Sequence, residues 1–398
     1  MAPTRPLALI ALFIGFYYRI ACLKLHKTPL IQEALVAPVA STQSSQEALN
    51  AVTQSSSKRA PFTRHIVAVG NLHGDMKNAQ TVLQFSGVVD EFGNWTGYAD
   101  FFVQTGDIID RGDDTIKLFF WMEKLHVQAA ATGGVVLSHL GNHEVMNTMA
   151  PLLIQSERYV YPSEINTFGS VAARQKMLST GRIGRAWATN YTATSRLPLH
   201  SHLGPPNTPF PPEDHALHFQ KDDDEEENDI GRYYDPSHPL SHSALSFVHG
   251  GLSPTYSNLS PSKIARNRPH PPSPYPGLPQ GTTREEAELY DANGPFWYRR
   301  WATDSEEKAC IDVEKVLART GTRRMIMGHT PDFNEYLMPT DGGVLSALSI
   351  HYTFTPLGDD EDGEQQWTER EIVSTLYADR QEIIVEEERE VVGDFRMA

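Results

Sequence analysis

The chain of 398 residues carries 50 acidic against 34 basic side chains, a formal charge of −16, with a pI near 5.4. That balance argues against a nucleic-acid partner, which would need clustered Lys and Arg. At 40% hydrophobic residues the chain can bury a large core. Its two cysteines, Cys22 and Cys310, are too few for a disulfide framework or a thiolate metal site; they are expected as isolated thiols, one near the N-terminus and one in the core.

Leu7 to Tyr18 is uncharged and follows Arg5. Residues 1–28 are therefore expected as a signal peptide or membrane anchor. The run is shorter than the roughly 18–20 residues a full span needs, so an uncleaved anchor, a cleaved signal and neither all stay open. The first two would place the protein at a membrane or in the secretory pathway, with cytoplasmic-facing and luminal orientations undecided. Three glycosylation sequons begin at Asn94, Asn190 and Asn258, and matter only in a lumen. Residues 29–62 turn to Ser, Thr, Gln and Ala, the composition of a flexible linker. One α/β domain is expected over 63–398, with insertions around 151–242 and 266–283.

The domain opens with a strand from His65 to Val69 and a helix from Met76 to Phe85, with Asp75 as its N-cap. A strand starts at Phe101. The helix after Asp113-Asp114 runs to about Ala130, with Leu118, Phe119, Met122 and Leu125 on its period. Val135 to Leu140 is the third strand. Between Ala150 and Ser243 the alternation stops. Glu157 to Gly184 reads as mainly helical, with Val171, Met177 and Leu178 as core candidates. Pro-rich pieces and the acidic run Asp222 to Glu227 follow, expected as exposed excursions that govern substrate access. Strands resume at Ser243 to Val248 and Arg323 to Met327, flanking a helix from Ser305 to Thr320. Leu345 to Tyr352 and Glu371 to Val385, the latter broken at Asp379-Arg380, read as terminal strands.

Chemistry collects where strands end. Val69 runs into Gly70-Asn71-Leu72-His73-Gly74-Asp75, and Thr105 into Gly106-Asp107-Ile108-Ile109-Asp110-Arg111-Gly112. Leu140 runs into Gly141-Asn142-His143-Glu144, Val248 into His249-Gly250-Gly251, and Met327 into Gly328-His329-Thr330. Each is a short apolar strand, a glycine, then Asp, Asn or His. Oxygen and imidazole ligands on several strand tips are what a metal centre shared by loops requires. Asn142 offers an amide oxygen to a metal and His143 a proton. His65, His126, His139 and His351 belong to no such tip and are expected as core or surface residues.

In order and spacing these strings resemble the calcineurin-like metallophosphoesterases. Phe247 to Pro254, Gly294 to Ala302 and Met327 to Asn334 narrow the resemblance to the Shewanella-like branch of the phosphoprotein phosphatases. It covers about His65 to Ile350. It implies an α/β fold, a four-layer α/β/β/α metallophosphoesterase sandwich with helical and Pro-rich insertions. It also implies two divalent metal ions, with Asp107 bridging them, Asn71 and His73 completing one site, and Asn142, His249 and His329 the other. Mixed N/O ligation suits Mn, Fe or Zn. His143 is the implied general acid, oriented by Asp110; Arg111 and Arg299, with Asn142, are implied to hold the substrate phosphate, Arg299 being preferred to its neighbour Arg300.

Two positions depart from the family pattern. Asn71 stands where the family has Asp, which removes a charge from the first metal site, and Asp75 reads as a helix cap that does not replace it. Leu345 to Ser349 replaces an Asp-x-Gly. The implied function is a metal-dependent phosphomonoesterase acting on a phosphorylated protein, at Ser/Thr or Tyr, through a two-metal-activated hydroxide. The alternatives are a degenerate phosphatase that binds phospho-ligands or a partner without turnover, and a small-molecule phosphatase or phosphodiesterase acting on a small phosphoester.

Overall fold

The computed structural model describes residues 17–18, 60–149, 166–199, 203–208, 210, 243–254, 287–330, 338–339, 344–359, 365–376 and 380–393. Strands are numbered from β1 (Tyr17–Tyr18). In β2 (Phe62–Gly70), Ile66 and Ala68 point to one side and Val67 and Val69 to the other, and both sides are buried. A strand covered on both faces needs a layer above and a layer below. β3 (Phe101–Gln104) lies parallel to β2, and β4 (Val135–Ser138) parallel to β3.

The second sheet is built from β5 (Thr194–Pro198), β6 (Ala244–Val248) and β7 (Arg324–Met327). Its order is β1-β7-β6-β5, with β6 and β7 parallel and both outer pairings antiparallel. The first sheet is completed by β8 (Met338–Pro339), β9 (Val344–Asp359), β10 (Gln365–Leu376) and β11 (Gln381–Val392). Its order is β11-β10-β9-β2-β3-β4, and β8 pairs with β9.

The two sheets face each other through Ile66, Ala68, Val103, Phe247, Ile326 and Leu348. On the far side of the first sheet, Val67, Val69 and Phe102 pack against α1 (Met76–Phe85), α2 (Thr115–Ala131), α4 (Val171–Ser179) and α5 (Arg182–Asn190). α3 (Asn142–Met149) starts at the tip of β4. On the far side of the second sheet, Val248, Met325 and Met327 pack against α6 (Arg300–Thr303) and α7 (Glu306–Thr320) through Trp301, Val313, Val316 and Leu317. The layers run α/β/β/α, as expected.

A charged network crosses the space between the sheets. Glu369 and Glu371, two apart on β10 and so on one face, meet Arg323 and Arg324 at the start of β7. Arg323 Nη2 lies 3.0 Å from Glu369 Oε2, and Arg324 Nε 3.0 Å from Glu371 Oε1. Tyr352 donates its hydroxyl to Glu371 at 2.5 Å, and Arg389 joins Glu369 at 3.0 Å. All four residues of the two pairs are buried.

Several expectations need correction. β5 lies inside the stretch where the strand-helix alternation was expected to stop. The helix expected over Glu157 to Gly184 is divided at Thr180-Gly181 into α4 and α5, and its part before residue 166 lies outside the described residues. Leu178 is buried, but Val171 is 41% exposed because it opens α4 on the solvent side. Cys310 is buried in α7 and disulfide-bonded, not a free thiol; its partner lies outside the described residues. The 1–28 segment, except Tyr17–Tyr18, the linker before residue 60, the acidic run and the 266–283 insertion also lie outside them. No helix among the described residues is long and apolar enough to cross a membrane.

Candidate metal centre and active site

The loops after β2 and β3 are laced by main-chain bonds. Asn71 N–H donates to Gly106 O (3.1 Å), His73 N–H to Asp107 O (2.9 Å) and Gly74 N–H to Ile108 O (2.7 Å). Across the second sheet, Gly328 N–H donates to His249 O at 2.8 Å. One carboxylate ties the third loop in. Glu144, in the first turn of α3, accepts from Gly141 N–H (2.7 Å), Asp107 N–H (2.9 Å) and Ile108 N–H (2.8 Å). It acts as the reciprocal half of a capping box with Gly141 at the N-cap, and extends that box to a second loop.

Asp107 in turn serves α3. Its Oδ1 accepts from His143 N–H at 3.0 Å, satisfying one of the helix's free donors. Its Oδ2 then faces the ligand cluster. His249 Nε2 is 3.2 Å from that oxygen, His73 Nε2 3.7 Å and His143 Nε2 3.9 Å. Asp107 thus belongs to two close groups of side chains of the kind that can hold a metal, one with His73 and His143, of which His143 is engaged by Asp110, the other with His249 and His329. The approach is tight: a Cβ on Gly141 would lie 2.1 Å from Asp107 Oδ1.

The imidazoles are set up as electron-pair donors. His73 Nδ1–H donates to Ile109 O (3.0 Å) and His249 Nδ1–H to Thr105 O (2.8 Å), so each offers Nε2 to the cluster. His249 Nε2 lies 3.0 Å from Asn142 Oδ1. With its proton on Nδ1, this brings three lone-pair atoms, from His249, Asn142 and Asp107, together with no hydrogen between them. His329 Nε2 is buried and has no hydrogen-bond partner. A cation is what such a donor set fits. Burial pushes His73 down to about 3 and His329 well below its ordinary range, so both rings stay neutral as ligation requires. Burial alone would raise Asp107; the imidazoles of His249, His143 and His73 outweigh it and hold the carboxylate well below its ordinary range.

Asn71 is buried beside these groups, its Oδ1 3.4 Å from His329 N–H. Asp75 does not stand in for the missing carboxylate. Its oxygens accept from Asn78 N–H (2.9 Å) and Asn78 Nδ2 (2.7 Å), capping α1 as expected.

His143 Nδ1 donates to Asp110 Oδ2 at 2.6 Å. Burial would push the ring down, but Asp107 and the bonded Asp110 raise it to about 9, so it is protonated at neutral pH. Arg111 follows Asp110 directly, and its charge is felt at His73 and at Arg299. Arg299 Nη1 donates to His329 O (3.2 Å) and Thr330 Oγ1 (3.3 Å), which turns it toward the cluster. Arg300 instead pairs with Asp304. Trp297 stands edge-on to His329, ring centroids 5.9 Å apart.

The backbone is strained here. Of seven non-glycine residues with positive φ among those described, six are Asn71, His73, Asp107, Asp110, Arg111 and His329. Such conformations cluster at sites where geometry is imposed by surrounding structure.

Every site residue named from the sequence falls in this one region. Three neighbours were not named. Glu144 was legible as a capping glutamate three residues after Gly141, and Asn147 stands one helical turn beyond His143. Arg174, which reaches Asp110 from α4, left no signal in the sequence. The unassigned histidines have structural roles. His139 bonds Gln104 O and Ser195 Oγ (2.9 and 2.8 Å), His126 bonds Ser138 Oγ, and His65 stacks on His351 at 3.9 Å.

Side chains able to hold metal, gathered from loops at one edge of a four-layer sandwich with a histidine–carboxylate pair and Arg299 beside them, are the arrangement of a metallophosphoesterase. The chain belongs to the calcineurin-like phosphoesterase family, which it matches over residues 64–333. The enzyme is a phosphatase, and divalent metal ions are its cofactors. It is 29% identical over 292 residues to an uncharacterised protein of Schizosaccharomyces pombe, covering 70% of this chain and 71% of that one. It is 27% identical over 283 residues to Shewanella-like protein phosphatase 2 of Arabidopsis thaliana, covering 67% and 66%. Over 103 residues it is 34% identical to Shewanella-like protein phosphatase 1 of Plasmodium berghei, 26% and 27% of the two chains. A mutant cold-active protein tyrosine phosphatase has the same fold, with TM-score 0.50 and 19% identity over 81% of this chain and 80% of that one.

Proposed function

We propose that the protein hydrolyses phosphomonoesters on the side chains of phosphorylated proteins, with His143 as the proton donor to the leaving oxygen. The observation that carries this reading is the 2.6 Å bond between His143 and Asp110, set beside two ligand groups that share Asp107. Likeness to proteins named as protein phosphatases supports the substrate class.

Asn71, His73 and Asp107 would hold one divalent ion, and Asp107, Asn142, His249 and His329 a second; Mn, Fe or Zn would supply acidified water and positive charge for the phosphoryl oxygens. The side chains do the rest. Arg111 and Arg299 bind phosphoryl oxygens through paired N–H groups, which guanidinium provides and ammonium does not. Asp110 keeps the proton of His143 on Nδ1 and presents Nε2–H toward the leaving alkoxide. The site lies against a hollow of about 510 Å³ lined by Tyr290, Asp291, Asn293, Trp297, Tyr298 and Arg299, a surface on which the residues flanking a phosphorylated side chain can rest.

Hydrolysis of 4-nitrophenyl phosphate and of phosphoserine, phosphothreonine and phosphotyrosine peptides with added Mn tests the proposal. The natural chain, Asn71→Asp and His143→Ala are compared. Turnover of the peptides by the natural chain and its loss in His143→Ala are expected. A natural chain as inert as His143→Ala, alongside an active Asn71→Asp, would replace the proposal with a phospho-ligand-binding protein. Activity confined to small esters would move the substrate class.

A further inference from the structure

We propose that Arg174, on the inserted helix α4, is a positioning residue for the general-acid pair, fixing the Asp110 carboxylate so that His143 aims its proton at the leaving group. The inference rests on the reading of His143 as proton donor.

α4 begins under control of its own cap, because Ser170 Oγ accepts from Ala173 N–H at 3.1 Å. One turn in, Arg174 turns away from solvent and is 2% exposed. Its guanidinium lies over the Phe168 ring at 5.8 Å. Arg174 Nη1 donates to Asn147 Oδ1 at 2.5 Å, and Nη2 donates to Asp110 Oδ1. Asp110's other oxygen accepts from His143 Nδ1 (2.6 Å) and Asn147 Nδ2 (3.0 Å). Asn147 Nδ2 also donates to His143 O at 2.8 Å, one turn back along α3.

Each carboxylate oxygen therefore has its own donors, Arg174 on one and His143 with Asn147 on the other. This matters because the terminal torsion of an aspartate is soft, and Asp110 sits on a left-handed backbone with φ of +69°. A guanidinium fork can hold Asp110 and Asn147 at once, whereas a lysine ammonium is a single point of charge. A helix expected only to lend core residues such as Leu178 reaches behind the proton donor.

The test uses leaving groups. Nitrophenolate departs well without protonation, phenolate and serine alkoxide poorly. In Arg174→Ala, kcat on phenyl phosphate and on a phosphoserine peptide is expected to fall about 10–100-fold, and on 4-nitrophenyl phosphate no more than about threefold. The scale follows from the roughly 10²–10⁴-fold that a general acid contributes and the loss that a small misplacement brings. Added guanidinium ion restores part of the lost rate, Arg174→Lys is intermediate, and metal content is unchanged. Asn147→Ala shows the same selectivity in milder form, and serves if Arg174→Ala fails to fold.

His143→Ala separates the two ideas. If it loses rate equally on all three substrates, the proton-donor reading fails. If it is selective while Arg174→Ala, Arg174→Lys and Asn147→Ala lose rate uniformly, His143 keeps its role and Arg174 is only structural, which overturns the proposal.

Discussion

Replacing Glu371 by Gln tests how the two sheets are held together. The residue is fully buried, bonded by Arg324 and by Tyr352, and faces the inner side of the second sheet. Burial alone would raise its proton affinity; the Arg324 guanidinium overcomes that and lowers it from 4.5 to about 2. A folded-state value below the unfolded one means stability that is complete above pH 4.5 and is lost as pH falls through about 2. A difference of this size corresponds to about 3 kcal/mol at pH 7. It agrees with the roughly 3–5 kcal/mol that breaking one half of a buried ion pair costs.

Urea unfolding at pH 7, 5, 4 and 3, followed by tryptophan fluorescence, measures the effect. Glu371→Gln is expected to be about 3 kcal/mol less stable at pH 7 and 5. The gap to the natural chain should narrow by roughly 2 kcal/mol at pH 3, where the carboxylate takes up a proton in the unfolded chain but stays largely ionised in the folded one. Replacing Arg324 and Glu371 together by Met and Leu should cost less than the single change, because no buried charge is left alone. A Glu371→Gln penalty that is below about 1 kcal/mol, or that does not change with pH, would refute the reasoning.

Asp75→Ala removes the cap of α1 and is expected to cost about 1 kcal/mol in thermal unfolding while leaving Mn content unchanged; a lost metal would make Asp75 a ligand. Asn71→Asp should tighten one of two Mn-binding steps by about tenfold or more in calorimetric titration, with the other step unmoved. Gly141→Ala forces a methyl group to 2.1 Å from Asp107 Oδ1. Elemental analysis should find its metal occupancy sharply lower than in the natural chain, and equal occupancy would contradict the close approach. Alkylation of the denatured, unreduced protein should leave Cys310 unlabelled.

The parts of the site legible in the sequence are those whose geometry is local. Each ligand loop directly follows a short apolar strand, so the strand places the residue and a glycine clears room for it. Helix caps such as Asp75 and Gly141 belong to the same class, since cap and helix are adjacent in sequence. β5 was hidden because its middle residue is Arg196 and its last is Pro198, a pattern that reads as exposed loop. The burial of Arg196 is explained only by distant groups. It donates to Thr320 O and Gly321 O at the end of α7, at 3.0 and 3.2 Å, and lies over Phe210. Arg174 was invisible for the same reason, its partners being 27 and 64 residues away. The charged network on β10 is likewise non-local: the burial of Glu369 is intelligible only once Arg323 and Arg389 supply the opposite charge.

Six ligand-loop residues hold their main chain in the left-handed region, a conformation glycine adopts without cost and other residues at roughly 1–2 kcal/mol each. Selection of variants for heat resistance alone would therefore drive toward glycine those positions, such as Asn71 and His329, whose side chains are not tied into the Asp107–His143–Asp110–Arg174 bonds. The hardiest survivors of such a screen would be those least able to hold metal or cleave an ester. In this fold, tolerance to heat and catalytic competence compete for the same handful of codons.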